Sequence, residues 1–540
     1  MTHVTMAAKR LAAIALLAAH VTLAQEPPKN WHLLDQHTDQ YPGISLQQAY
    51  KLLEKNKLKP TPIIVAVLDS GIDVTHEDLQ PVLWTNTKEI AGNGIDDDGN
   101  GYIDDIHGWN FIGGKDGSSV EAETLELTRY YKQYSAQFKN KNKFNITPEE
   151  RADFATFLTY KKAYEEGKEQ LQKNISRNQD EYDFFHKLIP PLQKAVGRKI
   201  FSEKQLKRTR LKGAGLREKR DRFLKILARN SAKQLTSEKL IKHYEDLTSR
   251  MEAMQRRLDY NYSLTFDGRK LIGDTPNDLH ERHYGNNDLS VRSEHGTHVA
   301  GIIAAKRDNQ LGIQGIAEGV QIMAIRSVPM GDEKDKDIAN GIRYAVDNGA
   351  KIINMSFGKN HSPNKQLIDD AVQYAQQKGV LLIHAAGNDH KNTDYFPNFP
   401  TALFNDSTLA SNWLEIGASS HDKDNLAAEF SNYGNHGVDI FAPGVDIYAC
   451  IPGSTYDTRS GTSMAAPVAT GVAALLLTHF PELTPEELIL IIKRSGIRIQ
   501  SKVNRPGTTE KVPFKNLCKT GRIVNAFEAV KLALNRQSNN

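Results

Sequence analysis

Short apolar runs, separated by polar stretches with helical periodicity, organise most of the chain. Residues 62–68 read Pro-Ile-Ile-Val-Ala-Val-Leu and end at Asp69-Ser70-Gly71. A run that short, rich in β-branched residues and without alternation, predicts a strand buried on both faces. The same texture returns at 320–328, 351–355, 380–384 and 438–441. Helical patterns lie between and after these runs, at 298–305, 337–348, 367–378 and 464–480. Strands alternating with helices pair in parallel through right-handed crossovers. The expected fold is therefore α/β: a doubly wound, mostly parallel sheet flanked by helices. In such sheets chemistry collects at the carboxyl ends of strands. Asp69 falls there, and so does Ala385-Ala386-Gly387-Asn388.

Residues 115–286 interrupt the pattern with long stretches rich in Lys, Glu, Gln, Arg and Leu. Thr147-Pro-Glu-Glu150 has the form of a helix start, and Pro190-Pro191 marks a break. The stretch reads as an inserted α-helical subdomain. The chain thus divides into a leader (1–24), an N-terminal segment (25–60), a first core part (61–114), the insertion (115–286) and a second core part (287–535). The N-terminal segment, with a helix expected over 46–58, is expected to pack on the core and stay attached.

Lys9 and Arg10 precede an apolar run from 11 to 19 that continues, past His20, to Ala24. That is the form of a secretory signal cleaved after Ala24, so a secreted or periplasmic protein is expected. The run falls short of the roughly 20 apolar residues that span a bilayer, and no stable membrane anchor is expected. Composition is ordinary for a globular protein: 39% hydrophobic and 25% charged. The 69 basic and 65 acidic residues give a net charge of +4, which does not indicate a nucleic-acid partner. Cys450 and Cys518 are the two cysteines. Export would permit a disulfide, and two buried thiols fit equally well.

Three segments carry candidate chemistry. In Gly461-Thr-Ser-Met-Ala-Ala-Pro467 a serine opens a helix of small residues. There its own amide and the helix dipole face an oxyanion. His295-Gly-Thr-His-Val-Ala-Gly301 offers an imidazole in the physiological pKa range as general base. Asp69 can fix that imidazole's tautomer and stabilise its cation. Each residue alone has a plainer explanation: a helix cap, a structural histidine, a turn-capping aspartate.

Together, and in the order acid, base, nucleophile, the three segments resemble the signatures of the subtilases, the subtilisin-like serine endopeptidases. The resemblance covers roughly residues 61–113 and 287–500. It implies Asp69, His295 and Ser463 as the triad and His298 as a structural histidine. It further implies that Asn388 and the Ser463 amide form the oxyanion hole. Ser356-Phe357-Gly358, with Ala386 and Gly387, would bind an extended protein or peptide substrate by main-chain hydrogen bonds. The implied activity is peptide-bond hydrolysis through an acyl-enzyme. The competing reading is a binding protein on the same scaffold that acts through the insertion.

A second site is legible at 93–105, where Asp96, Asp98 and Asn100 alternate before Gly101. That spacing turns several oxygens onto one hard cation and agrees with the first half of an EF-hand loop. His107 stands where the closing Glu would fall. A structural calcium ion is therefore expected, held by Asp96, Asp98 and Asn100 and closed by Asp104 or Asp105 and the Tyr102 carbonyl. Asp78 and Asp308 resemble a weaker second calcium site of that family.

Overall fold

The computed structural model describes residues 27–230, 235–423 and 425–537. The expected leader lies outside them. Two compact units emerge: Leu127–Thr265, and Pro27–Glu126 with Phe266–Asn540.

The larger unit is built on a nine-stranded sheet. Its strands are β1 (Ile63–Asp69), β2 (Gly108–Asn110), β3 (Val320–Arg326), β4 (Ile352–Met355), β5 (Leu381–Ala385), β6 (Trp413–Ser419) and β7 (Ile440–Pro443). After a hairpin of β8 (Ile447–Ile451) and β9 (Thr455–Arg459) come β10 (Ile497–Arg498) and, past a second small hairpin, Arg522–Ile523. The spatial order is β10, Arg522–Ile523, β7, β6, β5, β4, β1, β3, β2. Every pairing is parallel except that between β10 and Arg522–Ile523.

The apolar runs are unbroken because helices cover both faces. On β1, Val65 and Val67 enter one core with Val299, Ile303 and Val468, while Ala66 and Leu68 enter the other with Ile338, Ile342 and Ile368. Helix Thr462–His479 packs on β4 to β7. It is long and apolar enough to cross a membrane, but 94% of it is buried in this core.

The N-terminal segment is part of that core. Trp31 is fully buried and donates its indole N–H to the Val445 carbonyl (3.0 Å). Ala526 N donates to Ile44 O (2.8 Å), and helix Leu46–Lys55 packs on helix Ala526–Gln537. Trp31→Ala is expected to cost about 3–5 kcal/mol, the usual range for emptying a buried aromatic site, read as a lowered melting temperature. N-terminal sequencing of the mature protein should find a start ahead of Trp31; a start near Ala66 would contradict this. Cys450 and Cys518 are both buried and unbonded.

The smaller unit is helical. Helices Arg151–Val196, Ala214–Arg229 and Ser237–Arg256 share a core around Ile189, Phe223, Leu240 and Leu247. Thr147 lies in the turn before the first of these. Pro190 and Pro191 do not break it: Leu188, Ile189 and Leu192 around them are buried, and that packing outweighs the lost backbone bonds.

Residues 115–126 and 266–286, whose charged composition reads as insertion, lie in the larger unit. Several of their charges are buried, although Lys115, Asp116, Lys270 and Arg282 are exposed. Arg269 is bound to Asp274 and Asp337 (2.5 Å each), and Tyr284 donates to Asp337 (2.6 Å). Trp109 donates to the Tyr284 carbonyl (2.7 Å), and Arg326 to the Val120 carbonyl (2.7 Å).

Candidate active site

β1 and helix Glu294–Ala304 bring Asp69 to His295, with Nδ1 2.7 Å from Asp69 Oδ1. Glycine permits this approach. A Cβ on Gly296 would stand 2.1 Å from Gly71 O, and Gly71 itself has φ +104°. Asp69 is buried, and its Oδ1 also accepts from Ser70 N (2.7 Å). The carboxylate places the imidazole proton on Nδ1 and leaves Nε2 as the base. Burial pulls the His295 pKa down, but the Asp69 charge and hydrogen bond outweigh it and hold the pKa above the ordinary 6.5. His298 is fully buried against the Asp457 carbonyl (3.2 Å), and burial holds it down to about 3, as suits a structural histidine.

Ser463 stands in the first turn of helix Thr462–His479. Its hydroxyl donates to the Ser356 carbonyl (3.0 Å) and not to His295. Both residues line one cleft of ≈ 490 Å³. Rotation about the Ser463 Cα–Cβ bond releases the hydroxyl toward the cleft, and such bonds commonly tighten only with substrate bound. Pro467 falls in the second turn, not the first. It lacks the N–H that would bond the Ser463 carbonyl, and the Ser356 hydroxyl donates to that carbonyl instead (3.0 Å). Ser356 accepts from Asn354, which accepts from Thr470 (2.8 and 2.9 Å). This buried chain fixes the backbone beneath the nucleophile.

Asn388 follows β5. Its Oδ1 accepts from Thr462 N (2.8 Å) and Thr462 Oγ1 (3.0 Å), which caps the helix and fixes which way the amide faces. Asn388 Nδ2 then has no acceptor among the described residues. A Cβ built on Gly461 would lie 3.6 Å from both Asn388 Nδ2 and Ser463 N, so both donors lie beside the space that glycine leaves open. Ala386 and Gly387 are held by Asn432, whose Nδ2 donates to Ala386 O (2.8 Å) and whose N donates to Gly387 O (2.8 Å). Ser356, Phe357 and Gly358 run on past β4 and line the cleft.

Sequence reading missed Thr462, Asn354, Thr470 and Asn432. Thr462 lies inside the nucleophile motif. Asn354 is a lone polar residue in the apolar strand β4, Thr470 a polar residue in a helix of small apolar residues, and Asn432 lies in a loop where its sequence gives no such signal.

In the acidic loop, ligand oxygens of Glu89, Asp96 and Asp98 lie within 4.8 Å of one another. That donor set fits a hard cation, and Glu89 lies outside the expected motif. Asp105 turns instead to Asn86 (2.7 Å), Asn100 (3.1 Å) and Tyr344 (2.6 Å). Asn100 Oδ1 accepts from Tyr102 N (2.8 Å), and the Tyr102 ring is buried against Trp109 and Tyr344. Asp104 accepts from Gly92 N and Gly94 N (2.7 and 2.9 Å). Asp78 is buried and accepts from Asn309 (2.7 Å), whereas Asp308 is exposed and bonded to Gln314 (3.1 Å).

A family model described as "Subtilase family" matches residues 61–512. Thermitase of Thermoactinomyces vulgaris is 41% identical over 238 residues, 44% of this chain and 75% of its own length. The thermophilic serine proteinase of Bacillus sp. (strain AK1) is 39% identical over 224 residues, 41% of this chain and 50% of its own. The match thus spans about half the length of that relative. Among solved structures, a cold-adapted subtilisin-like serine proteinase is 30% identical, with 44% of this chain and 78% of that one covered and a TM-score of 0.35.

Proposed function

The chain belongs to the subtilase family, and from that premise we propose that it is a serine endopeptidase with Ser463 as nucleophile, His295 as general base and Asp69 as its orienting acid. The observation that carries this is the 2.7 Å Asp69–His295 pair in one cleft with Ser463 and two amide donors. In this reading His295 Nε2 takes the hydroxyl proton as Ser463 Oγ attacks the peptide carbonyl. Asn388 Nδ2 and Ser463 N stabilise the oxyanion. His295 then protonates the departing amine, and water repeats the sequence on the acyl-enzyme. Ser356, Phe357, Gly358 and Gly387 line the path of the extended substrate, and the fully buried Ala386 supports it from behind. Protein substrates and export through the leader belong to the same proposal.

The test is cleavage of internal bonds in denatured casein and in terminally blocked peptides. Cleavage of esters alone would contradict it. The acid limb of kcat/KM is expected above pH 6.5, because His295 must be neutral and its pKa is raised. Activity therefore falls as pH drops through that raised value. Asp69→Asn removes the charge that raises it, so the residual activity should titrate at lower pH.

Glu89, Asp96 and Asp98 would hold calcium as a structural ion. A site filled at 100 times its Kd stabilises by about 2.7 kcal/mol. Melting scans with EDTA and with calcium should differ, and Glu89→Gln should abolish the difference. Equal melting temperatures in the wild type would remove calcium from the account.

A further inference from the structure

Glu333 lines the same cleft as Ser463, yet it is only 1% exposed, and its Oε1 has no hydrogen-bond partner. It follows β3 in the run Asp332-Glu-Lys-Asp-Lys-Asp337. Its charged neighbours are engaged elsewhere. The Lys359 ammonium, from the segment after β4, spends its donors on the Glu333 main-chain carbonyl (2.6 Å), Asp335 (2.8 Å) and Glu126 (3.1 Å). Asp335 also accepts from Asn364 N (2.7 Å), and Asp332 from Glu126 N (2.8 Å). Lys334 lies 3.9 Å from Glu123. The cleft's arginines are also taken: Arg292 by Glu121 (2.6 Å), Arg459 by Glu294 (3.4 Å), Arg326 by Asn110 and two carbonyls.

The carboxylates of Glu126 and Asp335 therefore bind this buried ammonium, the Glu333 carboxyl lies within its electrostatic reach, and Asp332 in turn acts on Glu333. An ionised carboxylate buried without a partner costs several kcal/mol. Burial pushes Glu333 up to about 8; Lys359 pulls against that, and Asp332 and Asp335 add to it. Glu333 thus rests protonated near neutrality. A cation brought into the cleft stabilises its ionised form, and a peptide substrate brings cations as side chains.

We propose that Glu333 is a specificity-determining residue whose carboxylate receives the ammonium or guanidinium of a lysine or arginine side chain on the bound peptide. The inference rests on the endopeptidase reading of this cleft. The arriving cation replaces the carboxyl proton, so binding releases a proton and the preference strengthens as pH rises through about 8.

The test uses the full chain and blocked peptides of one sequence. Lysine, then norleucine, is placed in turn at each position around the scissile bond. The lysine-to-norleucine ratio of kcat/KM is read at pH 6.5 and 8.5, and the titration of catalytic groups cancels in that ratio. At one position the wild type should favour lysine roughly tenfold or more at pH 8.5, about one pKa unit of coupling, and less at pH 6.5. Glu333→Gln should bring the ratio to about 1 and flatten its pH dependence, by the same coupling argument. A preference that survives Glu333→Gln belongs to another acid of the cleft, such as Asp389, and overturns the assignment. If that variant fails to fold, the wild type still decides: a ratio that does not change between the two pH values overturns it. Cleavage of all peptides without preference defeats this inference alone, whereas cleavage of none defeats the endopeptidase reading and this with it.

Discussion

Ser463→Ala is expected to lower kcat by about 10⁶-fold, the size of loss seen when subtilisin loses its nucleophile. Folding should barely change. The hydroxyl's one hydrogen bond, to Ser356 O, is modest, and removing it costs about 1 kcal/mol or less. Ser463→Ala with His295→Ala should be no worse than either alone, because the base has no task without the nucleophile. The measurement is kcat on a blocked peptide beside a thermal melt. Substantial activity in Ser463→Ala would contradict the assignment.

Asn388 should show two separable effects. Asn388→Ala loses the oxyanion donor, worth about 10²–10³ in kcat, a figure that itself comes from subtilisin. It also loses the acceptor that caps helix Thr462–His479, worth about 0.5–2 kcal/mol. Asn388→Asp keeps an acceptor for Thr462 and removes the NH₂. It should melt near the wild type and remain as slow as Asn388→Ala. If Asn388→Asp kept its turnover, the donor role would fail.

The residues of the site were legible where backbone geometry forces residue type. Asp69 ends a strand buried on both faces, and Gly71 and Gly296 allow its approach to His295. Ser463 opens a helix whose small residues the sheet demands. What stayed hidden was burial of charge. Nothing in the charged run Asp332 to Asp337 signals burial, yet Glu333, Asp335, Lys336 and Asp337 are at most 3% exposed. Composition does not reveal which charges find partners, and the same blindness widened the apparent insertion to 115–286. Glu89 was missed because it reaches the acidic loop from seven residues before Asp96. Asp105 fits the loop pattern but answers to Tyr344, far away in the chain.

The most direct test of the central claim is covalent. A fluorophosphonate that reacts only with an activated serine should add once per chain. Peptide mass mapping should place the adduct on Ser463, and the rate of labelling should fall in His295→Ala. Labelling at another serine, or none in an enzyme that still cleaves peptides, would contradict the account.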